Sequence, residues 1–188
     1  MDKNSDTRVM GIDPGSRSCG YGIVDGAGSR LSYVTSGTIT PVPGNSASEK
    51  LNDIYVGILR VIDDYAPSVV SVEEMFFAKN ARSAIKLGQS RGIAILAAAQ
   101  RGIPVSEYAP TRVKLALTGR GRAGKEEMQR MLSYMLGVSE FQSTDESDAL
   151  AIAICHLSLS KYGLPDGAIG SAGNRRRKKR FTVNDLSA

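Results

Sequence analysis

Four carboxylates in three separate stretches of the chain carry the clearest chemical signal. Asp13 closes a short apolar run, Val9-Met10-Gly11-Ile12, and opens the turn Asp13-Pro14-Gly15-Ser16. Glu73 follows directly on Val69-Val70-Ser71-Val72, a run apolar and β-branched enough for a strand buried on both faces. A carboxylate there is partly withdrawn from water, and an unpaired buried charge is costly, so Glu73 needs a cation, a proton or a basic partner. Asp145 and Asp148 stand three apart at the start of a helix, which puts both on one face near its N-terminus. Taken singly, each has a plain explanation. Asp-Pro-Gly is more often a simple turn, and Asp145 and Asp148 suit capping and dipole compensation. Converging at one sheet edge, the four make the oxygen-rich, histidine-poor donor set that Mg²⁺ or Mn²⁺ prefers. Two such ions about 3.5–4 Å apart activate a water and stabilise the leaving oxygen of a phosphodiester. The single histidine, His156, follows Cys155 on a helix, so the two side chains diverge by about 100° and form no Cys-His pair. It reads as a packing or surface residue.

The elements that must position these groups follow from pattern. Val9–Ile12 and Tyr21–Val24 flank the Asp13-Pro14-Gly15-Ser16 turn as a hairpin, and Leu31–Ile39 supplies a third strand closed by Pro41-Val42-Pro43-Gly44-Asn45. Leu51, Ile54, Tyr55, Ile58, Leu59 and Ile62 recur at helical spacing before Pro67. Ser68–Val72 is the next strand, and Val105–Tyr108 a weaker fifth. A helix over Ala81–Arg101 is rich in small residues (Ala84, Gly88, Gly92, Ala94, Ala97, Ala98, Ala99) that permit close approach of another backbone or helix, within the domain or in a dimer. Further helices are expected near Thr111–Leu117, Lys125–Leu136 and Ser147–Lys161. The order implies an α/β domain over residues 1–166, with a mixed five-stranded sheet flanked by helices. A basic tail over 167–188 lacks periodicity and is expected to be disordered.

Charge is segregated along the chain. The net charge of +5 equals that of residues 167–188, where Arg175-Arg176-Arg177-Lys178-Lys179-Arg180 outweigh Asp185. Inside the domain, residues 79–130 carry eleven Lys/Arg against three Asp/Glu, while 1–78 and 131–166 each come to −4. A basic middle between acidic flanks suits a protein that grips phosphates with one surface and cations with another. Within this basic stretch, which includes Lys86, the residues Lys114, Arg120, Arg122 and Lys125 read either as a solvated face or as phosphate contacts, since their Gly-rich setting (Gly119, Gly121, Gly124) lets phosphates come close. Phe76 and Phe77 follow the buried strand. Adjacent aromatics there are usually core, yet neighbours on extended backbone point opposite ways, so one ring can be exposed. The longest strongly apolar run, Ile93–Ala99, falls far short of the roughly 20 residues of a membrane span, and the N-terminus has no apolar signal region. Cys19 and Cys155 lie far apart without metal-ligand spacing. A soluble cytoplasmic protein with no membrane association is the expectation.

Gly11-Ile12-Asp13-Pro14-Gly15-Ser16, Val72-Glu73-Glu74-Met75-Phe76, Ala78-Lys79-Asn80, Lys86-Leu87-Gly88-Gln89 and Asp145-Glu146-Ser147-Asp148-Ala149-Leu150-Ala151 resemble the RuvC family of Holliday-junction resolvases, the likeness running from about Arg8 to Leu159. The resemblance implies an RNase H-like fold and a homodimer on four-way junction DNA. It also implies paired, symmetric, metal-dependent nicks with 5′-phosphate and 3′-hydroxyl ends, in DNA recombination and repair. It assigns the catalytic and metal-binding carboxylates to Asp13, Glu73, Asp145 and Asp148, with Mg²⁺ or substituting Mn²⁺, two ions per site. The junction-contacting aromatic falls on Phe76 and two DNA-contacting lysines on Lys114 and Lys125. A junction-migration helicase complex of the RuvA and RuvB type is the implied partner. The tail after Gly167 has no clear counterpart in the family pattern.

Three rivals are weaker. Gly119–Glu126 nearly spells a P-loop, but Glu126 stands where a Ser/Thr hydroxyl should hold Mg²⁺ and Arg112–Leu117 reads as helix where a strand is required. An actin-like or sugar-kinase ATPase shares the look of Asp13–Gly22, but needs a second domain and a second phosphate loop. A catalytically silent junction binder would be favoured only by loss of an acidic residue, and all four are present.

Overall fold

The structure, a computed structural model, describes residues 6–15, 17–74, 81–161 and 167–168. The turn chemistry at Asp13-Pro14-Gly15 folds β1 (Thr7–Pro14) back onto β2 (Cys19–Ala27) as an antiparallel hairpin with Asp13 opposite Gly20. Strand β2 runs past Asp25-Gly26. Arg8 holds Asp25 across the strands at 2.8 Å, and the chain reverses only at Gly28, whose φ of 60° an L side chain disfavours, before β3 (Arg30–Ile39). Helix α1 (Ala47–Tyr65) opens on a Ser46–Glu49 capping box and ends at Ala66 ahead of Pro67. It leads to β4 (Val69–Glu73), parallel to β1. Helix α2 (Ala81–Gln100) then crosses to β5 (Val105–Tyr108), parallel to β4. Helices α3 (Pro110–Thr118), α4 (Lys125–Leu136) and α5 (Thr144–Lys161) follow.

The five expected strands are present in the order β3-β2-β1-β4-β5. A two-residue strand, β6 (Gly167–Ala168), adds to the β5 edge, antiparallel to it. The expected disordered tail therefore begins with two paired residues, and its remainder lies outside the described residues. No described helix is long and apolar enough to cross a membrane.

Two apolar layers sandwich the sheet. One joins Met10, Ile12, Val70 and Val72 to Ile54 and Ile58 of α1 and to Ala94, Ala97 and Ala98 of α2. The other joins Val9, Val24 and Tyr108 to α3, α4 and the buried length of α5. Of the small residues of α2, those three alanines are used within the domain, whereas Gly92 faces open space. The tightest approach lies on the opposite face. A Cβ on Gly11 would sit 2.0 Å from the Ala149 carbonyl oxygen, and one on Gly22, its cross-strand partner, 2.7 Å from Leu150. Glycine at these two sites lets the α5 backbone lie directly on β1 and β2.

Candidate active site

Asp13 and Glu73 each lie one residue beyond the Ile12–Val72 pair of the parallel strands β1 and β4. Both carboxylates thus emerge at the carboxyl ends of adjacent strands, on the face covered by α5. This is the edge at which open α/β sheets bind ligands.

Helix α5 brings the other two. It begins at Thr144, three residues earlier than its apolar pattern suggests, because Ser143 caps it. The Glu146 N–H donates to Ser143 Oγ at 3.1 Å, and the Glu146 carboxylate accepts from the N–H groups of Gln142 at 2.7 Å and Ser143 at 3.4 Å. That reciprocal capping box meets the needs of the helix terminus with Ser143 and Glu146. The capping explanation for Asp145 and Asp148 therefore falls away. Ser36 of β3 donates to Glu146 Oε1 at 2.5 Å, and the Thr38 and Ser143 hydroxyls share a hydrogen bond of 2.8 Å, fixing the start of α5 to the sheet. A third link runs from Ser18 Oγ to Asp145 Oδ2 at 2.5 Å.

The electrostatics report one cluster. Burial, then the charges of Asp148, Glu73 and Asp145, push Asp13 up to about 7, with Lys125 opposing. Burial followed by Asp148 raises Glu73 against the pull of Lys114. Burial raises Asp148 too; Lys125 and Lys114 act against the rise and Asp145 adds to it. Both lysines line a cavity of about 240 Å³ together with Glu73 and Asp148, over an apolar floor of Pro110, Val113, Met128, Ala151 and Ile152. Carboxylates buried and crowded in this way are short of positive charge, which a divalent cation would supply.

Among the described residues no three Asp, Glu, His or Cys side chains close around an ion by themselves. The donor set nevertheless fits Mg²⁺ or Mn²⁺ in type, being all oxygen. His156 is no part of it. Its Nδ1 shares a hydrogen bond of 2.8 Å with the Tyr108 hydroxyl inside the core. Burial raises the Cys19 and Cys155 thiols to about 12, so neither offers a thiolate near neutral pH.

The profile of the family described as crossover junction endodeoxyribonuclease RuvC matches residues 9–156. A protein of that name from Trichlorobacter lovleyi is 45% identical over 168 residues, spanning 89% of this chain and 94% of its own. One from Hahella chejuensis is 43% identical over 171 residues, 91% of this chain and 99% of its own. The chain belongs to the RuvC family. Among solved structures, Thermus thermophilus RuvC in complex with Holliday junction substrate superposes with a TM-score of 0.80 at 35% identity, covering 86% of this chain and 98% of that one. The yeast mitochondrial Holliday junction resolvase Ydc2, at 11% identity and a TM-score of 0.59, shares the fold alone. The span matched to the RuvC profile takes in all four carboxylates and both cavity lysines, and ends before the basic tail.

The other sequence candidates separate. Lys86 is exposed on α2 and does not line the cavity. Arg120 pairs with Glu127 at 3.1 Å while remaining largely exposed, and Arg122 is exposed in the loop between α3 and α4. Phe76 and Phe77 lie outside the described residues. Sequence reasoning passed over the hydroxyls that steady α5. Only the Ser143-x-x-Glu146 spacing carried a signal for them, since it is the signature of a capping box.

Proposed function

We propose that this chain is a metal-dependent endonuclease that resolves four-way DNA junctions by hydrolysing phosphodiester bonds. The observation that carries the reading is the joint placement of Asp13 and Glu73 with Asp148 and Asp145, beside a cavity lined by Lys114 and Lys125. In this reading Asp13, Glu73, Asp145 and Asp148 hold the divalent cations, Mg²⁺ or Mn²⁺, two per site. When bound, these ions supply an activated water and charge stabilisation for the departing oxygen. Lys114 and Lys125 approach the scissile phosphate from α3 and α4 and offset its charge. The capped, sheet-anchored start of α5 holds Asp145 and Asp148 against Asp13. The products are a 5′-phosphate and a 3′-hydroxyl. Membership of the RuvC family and the likeness to a relative solved with Holliday junction substrate support the choice of substrate.

Symmetric nicking needs two such sites, and we assign the second to another copy of the chain. Ile85 and Leu96 of α2 are 64% and 50% exposed, and both lie on the helix side where Gly92 meets open space. An exposed apolar stripe of that kind suits a self-complementary contact. A cytoplasmic setting with a junction-migrating helicase complex completes the reading. The test is incubation of the purified protein with a synthetic mobile four-way junction and a matched linear duplex in Mg²⁺. Paired cuts in the junction alone support the proposal, and equal cutting of both substrates or of neither contradicts it.

A further inference from the structure

Resting on that assignment of the carboxylates, we propose that the Ser18 hydroxyl is a positioning group for the reaction, fixing the Asp145 carboxylate in the orientation that receives the metal ion. The Ser18 hydroxyl donates to Asp145 Oδ2 at 2.5 Å. It joins the turn that follows Asp13 to the first turn of α5 across 127 positions of sequence, linking the two segments that carry Asp13 and Asp145.

The backbone beneath this hydroxyl is constrained on both sides. A Cβ on Gly15 would lie 2.2 Å from the Ser18 carbonyl oxygen, so the turn is drawn tight, and Cys19 immediately after is fully buried at the start of β2. Asp145 is held equally closely. A Cβ on Gly20 would meet its backbone carbonyl at 2.1 Å, and Thr144 Oγ1 reaches Oδ1 at 3.3 Å. Helix capping does not account for the Ser18 contact, because Ser143 and Glu146 form the cap. A carboxylate keeps acceptor capacity after accepting one hydrogen bond, so Asp145 would remain able to hold a cation while Ser18 orients it. The hydroxyl thereby removes a rotational freedom that Asp145 would otherwise lose on binding metal. Partners that orient a ligating carboxylate are commonly worth roughly 10–100-fold in metal affinity or activity.

The experiment compares Ser18→Ala, Ser18→Thr and Asp145→Asn with the parent. Mn²⁺ binding is followed by calorimetry on the full-length protein without DNA, junction binding in Ca²⁺, and junction cleavage in Mg²⁺, alongside thermal melting. We expect Ser18→Ala to bind Mn²⁺ roughly 10-fold more weakly and to cleave with a kcat lowered to match, with junction affinity and Tm at parent values. Ser18→Thr, which keeps the hydroxyl, should restore both. Parent-like Mn²⁺ affinity and kcat in Ser18→Ala, with both lost in Asp145→Asn, would remove the role of Ser18 and leave the carboxylate site standing. A fall in Tm alongside affinity that Ser18→Thr fails to repair would reduce the hydroxyl to a structural contact. If Asp145→Asn itself binds Mn²⁺ and cleaves like the parent, the carboxylate assignment fails and the proposal with it.

Discussion

A Cβ placed on Gly20 of β2 would lie 2.1 Å from the carbonyl oxygen of Asp145 and 2.9 Å from its Cβ. Gly20 is also the cross-strand partner of Asp13, so one glycine sets the separation between the β1 and α5 carboxylates. Gly20→Ala must push the first turn of α5 away from the sheet. Overpacking of this kind costs about 1–3 kcal/mol, and cleavage should fall much further than stability, because the displaced group carries Asp145. Melting curves and single-turnover cleavage of a junction check this. An alanine variant that melts several degrees lower yet cuts at the parent rate would mean that the spacing is not functional.

The raised pKa of Asp13 predicts how stability depends on pH. The folded protein holds this proton up to about pH 7 against an ordinary value of 3.8, so the group's contribution to stability is present below 3.8 and lost as pH rises through about 7. Glu73 and Asp148, also raised by burial, act in the same direction. Without divalent ions, Asp13→Asn should therefore melt above the parent at pH 8 and converge with it toward pH 4. Excess Mg²⁺ should abolish the advantage by stabilising the parent alone. Thermal melts across that window with and without EDTA decide it, and an Asn variant less stable than the parent at pH 8 in EDTA would contradict the crowding of charge around Asp13.

Basic residues of the body and of the tail should fail differently. Lys114 and Lys125 face the cavity that Glu73 and Asp148 line, so replacing both by alanine should lower junction affinity and cleavage even with the tail attached. Truncation should be made after Ala168 rather than after Asp166, because Gly167 and Ala168 pair with β5. Removing 169–188 should weaken binding to junction and duplex alike and flatten the salt dependence, since Arg175–Arg180 add six charges without shape information. Titrations of both substrates across a salt series separate the two sets. Loss of junction preference on truncation alone would assign shape recognition to the tail.

The exposed stripe on α2 predicts a mutable assembly. Leu96→Glu places a charge on a surface that is 50% exposed in the single chain, so it should leave monomer stability nearly unchanged while shifting sedimentation toward the monomer. Cleavage should then lose its pairing of nicks. Dimeric sedimentation of Leu96→Glu at low micromolar concentration would move the contact elsewhere.

The elements that position the site were legible where local patterns are strong. The hairpin around Asp13, the strand ending at Glu73 and the helix Lys125–Leu136 all follow from periodicity and turn residues, which act over a few neighbours. What periodicity missed depends on partners distant in the chain. Thr144–Glu146 lack an apolar stripe, so the start of α5 comes from its capping box and from Ser36 and Thr38, more than a hundred residues away. The small residues of α2 drew attention to close packing, but the closest approach lies at Gly11, Gly20 and Gly22, which in sequence look like ordinary strand and turn glycines. That the four carboxylates come together was legible from their places at two strand ends and a helix start. The Ser18 bond to Asp145 was not, since nothing local relates residues 127 positions apart.

In the proposed function Asp13, Glu73, Asp145 and Asp148 act through metal rather than by holding DNA. The most direct test is to measure junction binding and junction cleavage side by side for Asp13→Asn and Glu73→Gln, isosteric changes that remove one charge each. Binding in Ca²⁺ should stay within a few-fold of the parent, because the lysines and the rest of the basic segment are untouched. Cleavage in saturating Mg²⁺ should fall by at least roughly 10³-fold, as expected when a group acting on the reacting phosphate is lost. Cutting at close to the parent rate by either variant, or loss of binding in step with cutting, would contradict the account.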